Sequence, residues 1–138
     1  EGFEFQIGKG ILMREGADVT IVACGLMVQA ALEAAESLAA KGVSAEVIDM
    51  HTVKPLDEEL LVASAKKTGR VVTCEEHSVI GGLGSAVCDA LAEKCPVPVR
   101  KVGVNDVFGE SGPAVDLLAK YGLDAAGVER QVLDFLGK

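Results

Sequence analysis

The chain has 138 residues, 49% of them hydrophobic, enough to bury one substantial core without disulfide or metal support, so a single domain over residues 1–138 is expected. Its 13 Lys and Arg stand against 21 Asp and Glu, a net charge of -8, which argues against nucleic-acid and anionic-membrane partners. No apolar run nears the roughly 20 residues that span a bilayer, and the charged opening EGFEFQIGKG lacks the apolar core of a secretion signal, so the cytosol (a cytoplasmic protein) is the expected compartment.

Aromatic residues make up only 4% and Trp is absent, so the core must interdigitate Ala, Val and Leu, which favours layered helix and sheet packing. A short strand over 10–13 is expected to form an antiparallel edge. After the turn-like residues Arg14 to Ala17, the run DVTIVAC is apolar and β-branched, as in a strand buried on both faces. Val28, Ala31, Leu32, Ala35 and Leu38 then form a helical stripe that stops at Lys41 and Gly42. The alternation continues with a strand over 45–50, a helix over 58–67, a strand over 70–75, a helix over 85–94 and a strand over 99–104. Two closing helices follow, one opened by Gly112 and Pro113, the other capped by Asp124. Right-handed crossovers then require a three-layer α/β/α, doubly wound, mostly parallel five-stranded sheet.

Four cysteines, Cys24, Cys74, Cys88 and Cys95, show no zinc spacing and read as reduced packing residues. Cys24 and Cys74 close two predicted strands, which leaves a redox pair as the lesser alternative.

The segment EEHSVIGGLGSAV sets Gly81, Gly82 and Gly84 between a strand end and a helix start, as in a dinucleotide loop. Val87 stands where that fingerprint needs its third small residue, and Glu75 and Glu76 would oppose a pyrophosphate. A tight turn with close helix–sheet packing accounts for the glycines without a ligand. At the carboxyl ends of the parallel strands Asp49, Glu75, Glu76, His77 and Asp106 converge, so that a divalent cation, or proton transfer through His77, is conceivable there, although the ligand spacing is not that of a metal site. His51 reads as a boundary histidine. The Lys54-Pro55 pair turns the chain, and Asp57 caps the next helix. The glycines of FGESG suit a further tight bend. The GKG at 8–10 lacks the spacing and hydroxyl of a phosphate loop.

In order, GKG, DVTIVACG, ALEAAESLAAKG, IDMHTVKPLD, VVTCEEHSVIGGLGSAV, VGVNDVFGESG and LLAKYGLDAAGV closely resemble the C-terminal domain of transketolases, above all those whose gene is split into N- and C-terminal subunits. The resemblance implies transfer of a two-carbon ketol unit between sugar phosphates, using thiamine diphosphate and a divalent metal, commonly magnesium. In that family the cofactor sits between a diphosphate-binding domain marked by GDG and a pyrimidine-binding domain that supplies the activating glutamate. Neither is present in these residues, so no catalytic, cofactor or metal role passes to any residue here. The domain would support the pyrimidine-binding and diphosphate-binding partners in a homodimeric enzyme of sugar-phosphate metabolism. The segment Glu75, Glu76, His77, Gly81, Gly82, Gly84 and Ser85 is left as a ligand or interface loop. Two sister families, 1-deoxyxylulose-5-phosphate synthase and the β component of 2-oxo acid dehydrogenases, are alternatives, as is a small regulatory module that binds an anion or metal at that loop.

Overall fold

A computed structural model describes residues 8–51, 55–78, 82–104 and 123–138, without the side chains of residues 77, 78 and 104. Strands β1 (Ile11–Arg14), β2 (Val19–Ala23), β3 (Ala45–Asp49), β4 (Val71–Ser78) and β5 (Val99–Val104) make one sheet of order β1-β3-β2-β4-β5. β2, β3, β4 and β5 pair in parallel, whereas β1 runs antiparallel to β3, with an irregular register between Leu12 and Arg14. Helices α1 (Met27–Ala40), α2 (Glu58–Thr68), α3 (Leu83–Lys94) and α4 (Ala125–Leu136) cover it. This is the doubly wound α/β arrangement expected from the alternation, with the antiparallel edge strand. Among the described residues, no helix is long and apolar enough to cross a membrane.

The alternation of side chains along each strand divides the core in two. Val19, Ile21, Ala23, Val47, Val72 and Cys74 pack beneath α1 and α4. Val22, Ile48, Val71 and their neighbours pack beneath α2 and α3. Cys74 belongs to the first cluster, while Cys24 packs against the second, although Ala23 and Cys74 are register partners. Strand parity therefore directs the two thiols to opposite faces of the sheet, and all four cysteines are free. Each of the two thiols packs into its own layer, as the packing reading expects.

The second face also buries polar groups. At the amino end of the sheet, Glu46 is 3% exposed. Its carboxylate accepts from the Gly16 N–H at 3.0 Å, the Ser64 hydroxyl at 2.7 Å and Lys67 Nζ at 2.7 Å. Burial alone raises a carboxyl pKa, but the hydrogen bonds from Lys67, Ser64 and Gly16 outweigh it and hold Glu46 below its ordinary value. Thr20 extends this network, its hydroxyl lying 2.6 Å from that of Ser64 and 2.7 Å from that of Thr68. Gly16 has no room for a side chain, since a Cβ there would lie 2.2 Å from the carbonyl carbon of Ala45.

Two motifs that look separate in the sequence meet in space. Asp57 caps α2 as expected, its Oδ1 accepting from the Leu60 N–H at 3.1 Å, and its Oδ2 accepts from the Gly10 N–H at 2.8 Å. A Cβ on Gly8 would meet the Pro55 ring at 3.1 Å, and one on Gly10 would meet Leu60 at 3.1 Å. GKG is thus the piece that seats the approach to β1 against the start of α2. Of the predicted turn around Lys54 and Pro55, Lys54 lies outside the described residues, as does the predicted helix opened by Gly112 and Pro113 with the FGESG bend before it. Asp124 caps α4, its Oδ1 accepting from the Gly127 N–H at 2.8 Å, and Gly137 ends that helix in the left-handed region at φ 76.

Candidate functional site

Because β3 lies on one side of β2 and β4 on the other, the winding reverses between β2 and β4, and doubly wound sheets bind ligands beyond the carboxyl ends of strands at such a point. Here β4 runs three residues past its expected end at Glu75, carrying Glu76, His77 and Ser78 in the strand. Consecutive strand residues face opposite ways, so the Glu75–Glu76 pair divides between the two helix layers.

Glu75 is 1% exposed. Its Oε1 accepts from the Leu83 N–H and its Oε2 from the Gly84 N–H, both at 2.8 Å. The carboxylate sits where a phosphate would bind, at the start of α3, and takes the helix-end donors and the favourable dipole for itself. Gly84 and Ser85 fall inside the first turn of α3, two residues earlier than the predicted start, with Gly82 at the cap position. A Cβ on Gly84 would lie 2.9 Å from Thr73 Oγ1 and 2.9 Å from Lys101 Cγ. The expected close helix–sheet approach is therefore made at Gly84. Lys101 drapes over that glycine and donates to the Ser85 hydroxyl at 3.3 Å.

Glu76 turns to the other layer, where its Oε1 accepts from the Leu26 N–H at 2.9 Å. Leu26 precedes α1 in a helical conformation (φ -63, ψ -20) and offers no capping side chain; the next two N–H groups, of Met27 and Val28, donate to the Cys24 and Gly25 carbonyls at 3.2 Å and 3.3 Å. Glu76, fifty positions away in sequence, ties β4 to the N–H of the residue that precedes α1. Gly25 before it has φ +62, a left-handed conformation that favours glycine, and a Cβ there would meet Glu76 Oε1 at 2.6 Å and push that carboxylate aside.

Cys24 lies between these groups. Burial pushes its thiol up to about 11, and the charges of Glu75, Glu76 and Asp49 add to the shift. Burial, then Cys24 and Glu75, push Cys74 up to about 12. Burial also raises Asp49, opposed by His51. Neither thiol is a nucleophile at neutral pH.

The structure thus brings Asp49, Glu75 and Glu76 to one edge, as the sequence suggests. The His77 side chain, Gly81 and Asp106 lie outside the described residues. Among the described residues, no three His, Cys, Asp or Glu side chains are placed to hold a metal. Among the described residues, the N–H groups of Leu26, Leu83 and Gly84 at this edge are engaged by carboxylates, which would also repel a diphosphate. Sequence reasoning anticipated the repulsion but missed the capping. Its signal was the Glu-Glu pair itself, in which alternation requires one carboxylate on each face.

Comparison with known proteins decides the family. The family profile for the C-terminal domain of transketolase matches residues 8–128. The chain belongs to that family. This transketolase C-terminal domain is 58% identical over 130 residues to a 6-deoxy-6-sulfo-D-fructose transketolase subunit of Clostridium sp. (strain MSTE9), covering 94% of this chain and 40% of the relative. It superposes with TM-score 0.90, at 57% identity, on a solved split-gene transketolase described as an inactive beta4 tetramer, covering 96% of this chain and 43% of that one. It is also 45% identical over 135 residues to 1-deoxy-D-xylulose-5-phosphate synthase 1 of Geobacter sulfurreducens, covering 96% of this chain and 21% of that enzyme. The chain thus spans less than half the length of the relatives it matches.

Proposed function

We propose that this transketolase C-terminal domain is the scaffolding portion of a split, thiamine-diphosphate-dependent transketolase, holding the cofactor-binding domains in place while taking no part in bond making. The observation that carries the reading is the pairing of Glu75 with α3 and of Glu76 with α1, which engages the helix starts where a doubly wound sheet would bind phosphate. The split-gene relatives support the subunit arrangement. Thiamine diphosphate and magnesium then belong to the pyrimidine-binding and diphosphate-binding portions. Rigid support still governs rate, since a shift of about 1 Å in a catalytic group costs roughly a hundredfold.

The test is reconstitution. Alone, the chain should give no ketol transfer between ketose and aldose phosphates and no calorimetric heat with thiamine diphosphate and magnesium. With the cofactor-binding portions added, transfer should appear. Turnover by the chain alone sinks the reading. A second reading, part of a 1-deoxyxylulose-5-phosphate synthase, is favoured by the Geobacter relative. The reconstituted enzyme discriminates the two by its product.

A further inference from the structure

We propose that the trough between α2 and α3 is a self-association surface, covered by the same trough of a second copy of this chain. A two-fold axis lying across the trough sets the basic end of each copy on the acidic end of the other. A domain that took part in bond making could pair its copies in the same way, so this contact stands apart from the scaffold reading above.

The trough is a matter of side-chain size. Two hollows, of about 760 and 580 Å³, lie along it and share Glu58. Pro55, Leu56, Ala86 and Ala90 line the first, and Val62 and Ala63 line the second. Where the facing rows of two helices carry alanine, the space between them stays open, and a helix from outside can come close to both.

Charge along the trough is polarised. α2 carries Glu58 and Glu59 in its first turn and Lys66 and Lys67 in its last, which its own dipole favours. α3 adds Asp89 and Glu93 beside the start of α2. Glu93 stands in the last turn of α3, where the helix dipole disfavours an anion. Folding of α3 therefore gives no reason for that carboxylate. Within the chain Lys94 pairs with Glu58, and Lys67 with the buried Glu46. Lys66, Asp89 and Glu93 are exposed and take part in no ion pair among the described residues. The trough thus has two unmatched carboxylates at one end and an unmatched lysine at the other.

This complementarity names the occupant. Turned end for end, a second copy lays its Lys66 beside Asp89 and Glu93 of the first and receives the first copy's Lys66 beside its own two carboxylates. Both equivalent sites are then matched, and the alanine rows meet between them. A partner of uniformly basic charge would match the acidic end and oppose Lys66, and two copies laid in the same sense would set like charges together.

Sedimentation velocity of the chain across a dilution series, with charge-reversed variants, tests the contact. The wild type should form a reversible dimer. Lys66→Glu alone, and Asp89→Lys with Glu93→Lys together, turn attraction into repulsion at both equivalent sites. Each variant should dissociate at a concentration about tenfold higher or more. The three side chains are exposed, so circular dichroism should stay native. An equimolar mixture of the two variants should recover the dimer, because every site again sets a lysine against an acid. Glu36→Lys, exposed on α1 across the sheet, should behave as the wild type does. A wild type that stays monomeric, variants that dimerise as it does, or a mixture that recovers nothing would overturn the proposal. So would equal weakening by Glu36→Lys, which would make total charge the cause.

Discussion

The two ends of the sheet both bury carboxylates, and they neutralise them by different means. At the amino end Glu46 is held by a lysine, a serine and one backbone N–H, and a chain of hydroxyls ties it to Thr20 and Thr68. At the carboxyl end Glu75 and Glu76 use backbone N–H groups at helix starts, and no Lys or Arg among the described residues forms an ion pair with either. The amino end is a side-chain network that joins α2 to the sheet. The carboxyl end is a pair of main-chain clamps that fix where α1 and α3 begin. A helix start clamped in this way is set to a single geometry, as a surface that must meet a neighbour requires.

Breaking the clamp should have the largest effect. Glu75→Ala strands two buried N–H groups and is expected to cost about 3 kcal/mol or more of unfolding free energy in urea titration. Gly84→Ala attacks the same clamp by crowding, because its Cβ would press on Thr73 and Lys101. A loss of about 1–3 kcal/mol, with amide shift changes along α3 and β5, is expected. At the amino end Glu46→Gln should cost about 1–2 kcal/mol near neutral pH. The folded carboxyl titrates below its ordinary value of 4.5, so its contribution is present above that pH and is lost as pH falls through the folded value. Stability curves of wild type and Glu46→Gln should therefore run parallel above about pH 5 and converge in acid. A gap that does not narrow at all on acidification would show that Glu46 acts by shape rather than charge. Asp57→Ala is the mildest, at about 1 kcal/mol for a lost cap. Faster hydrogen exchange at both Leu60 and Gly10 would show that GKG and KPLD act as one unit.

The strands were readable because DVTIVAC and AEVID are β-branched runs between turn residues, and the helices because their apolar stripes and caps are local signals. The error in β4 has the same origin. Glu-Glu-His has little strand preference, so the extension to Ser78 was fixed by pairing with β5, a contact no local window contains. Likewise, the two clamps join residues 8 and 50 positions apart. The glycines of the GGLG segment could be assigned to close packing in advance, and Gly84 meets that expectation. Which oxygen caps which helix depended on the strand order. Leu26 was unreadable for a simpler reason: a leucine just before a helical stripe looks like core, and only its exposure at the cap position separates it from Met27, which is fully buried.

The irregular register of β1 has a further bearing on how copies of the fold meet. A strand whose pairing slips between Leu12 and Arg14 cannot offer an even row of donors and acceptors along its outer rim. Sheet extension across that boundary is thereby discouraged. An edge strand with a slipped register is a poor template for uncontrolled fibre growth.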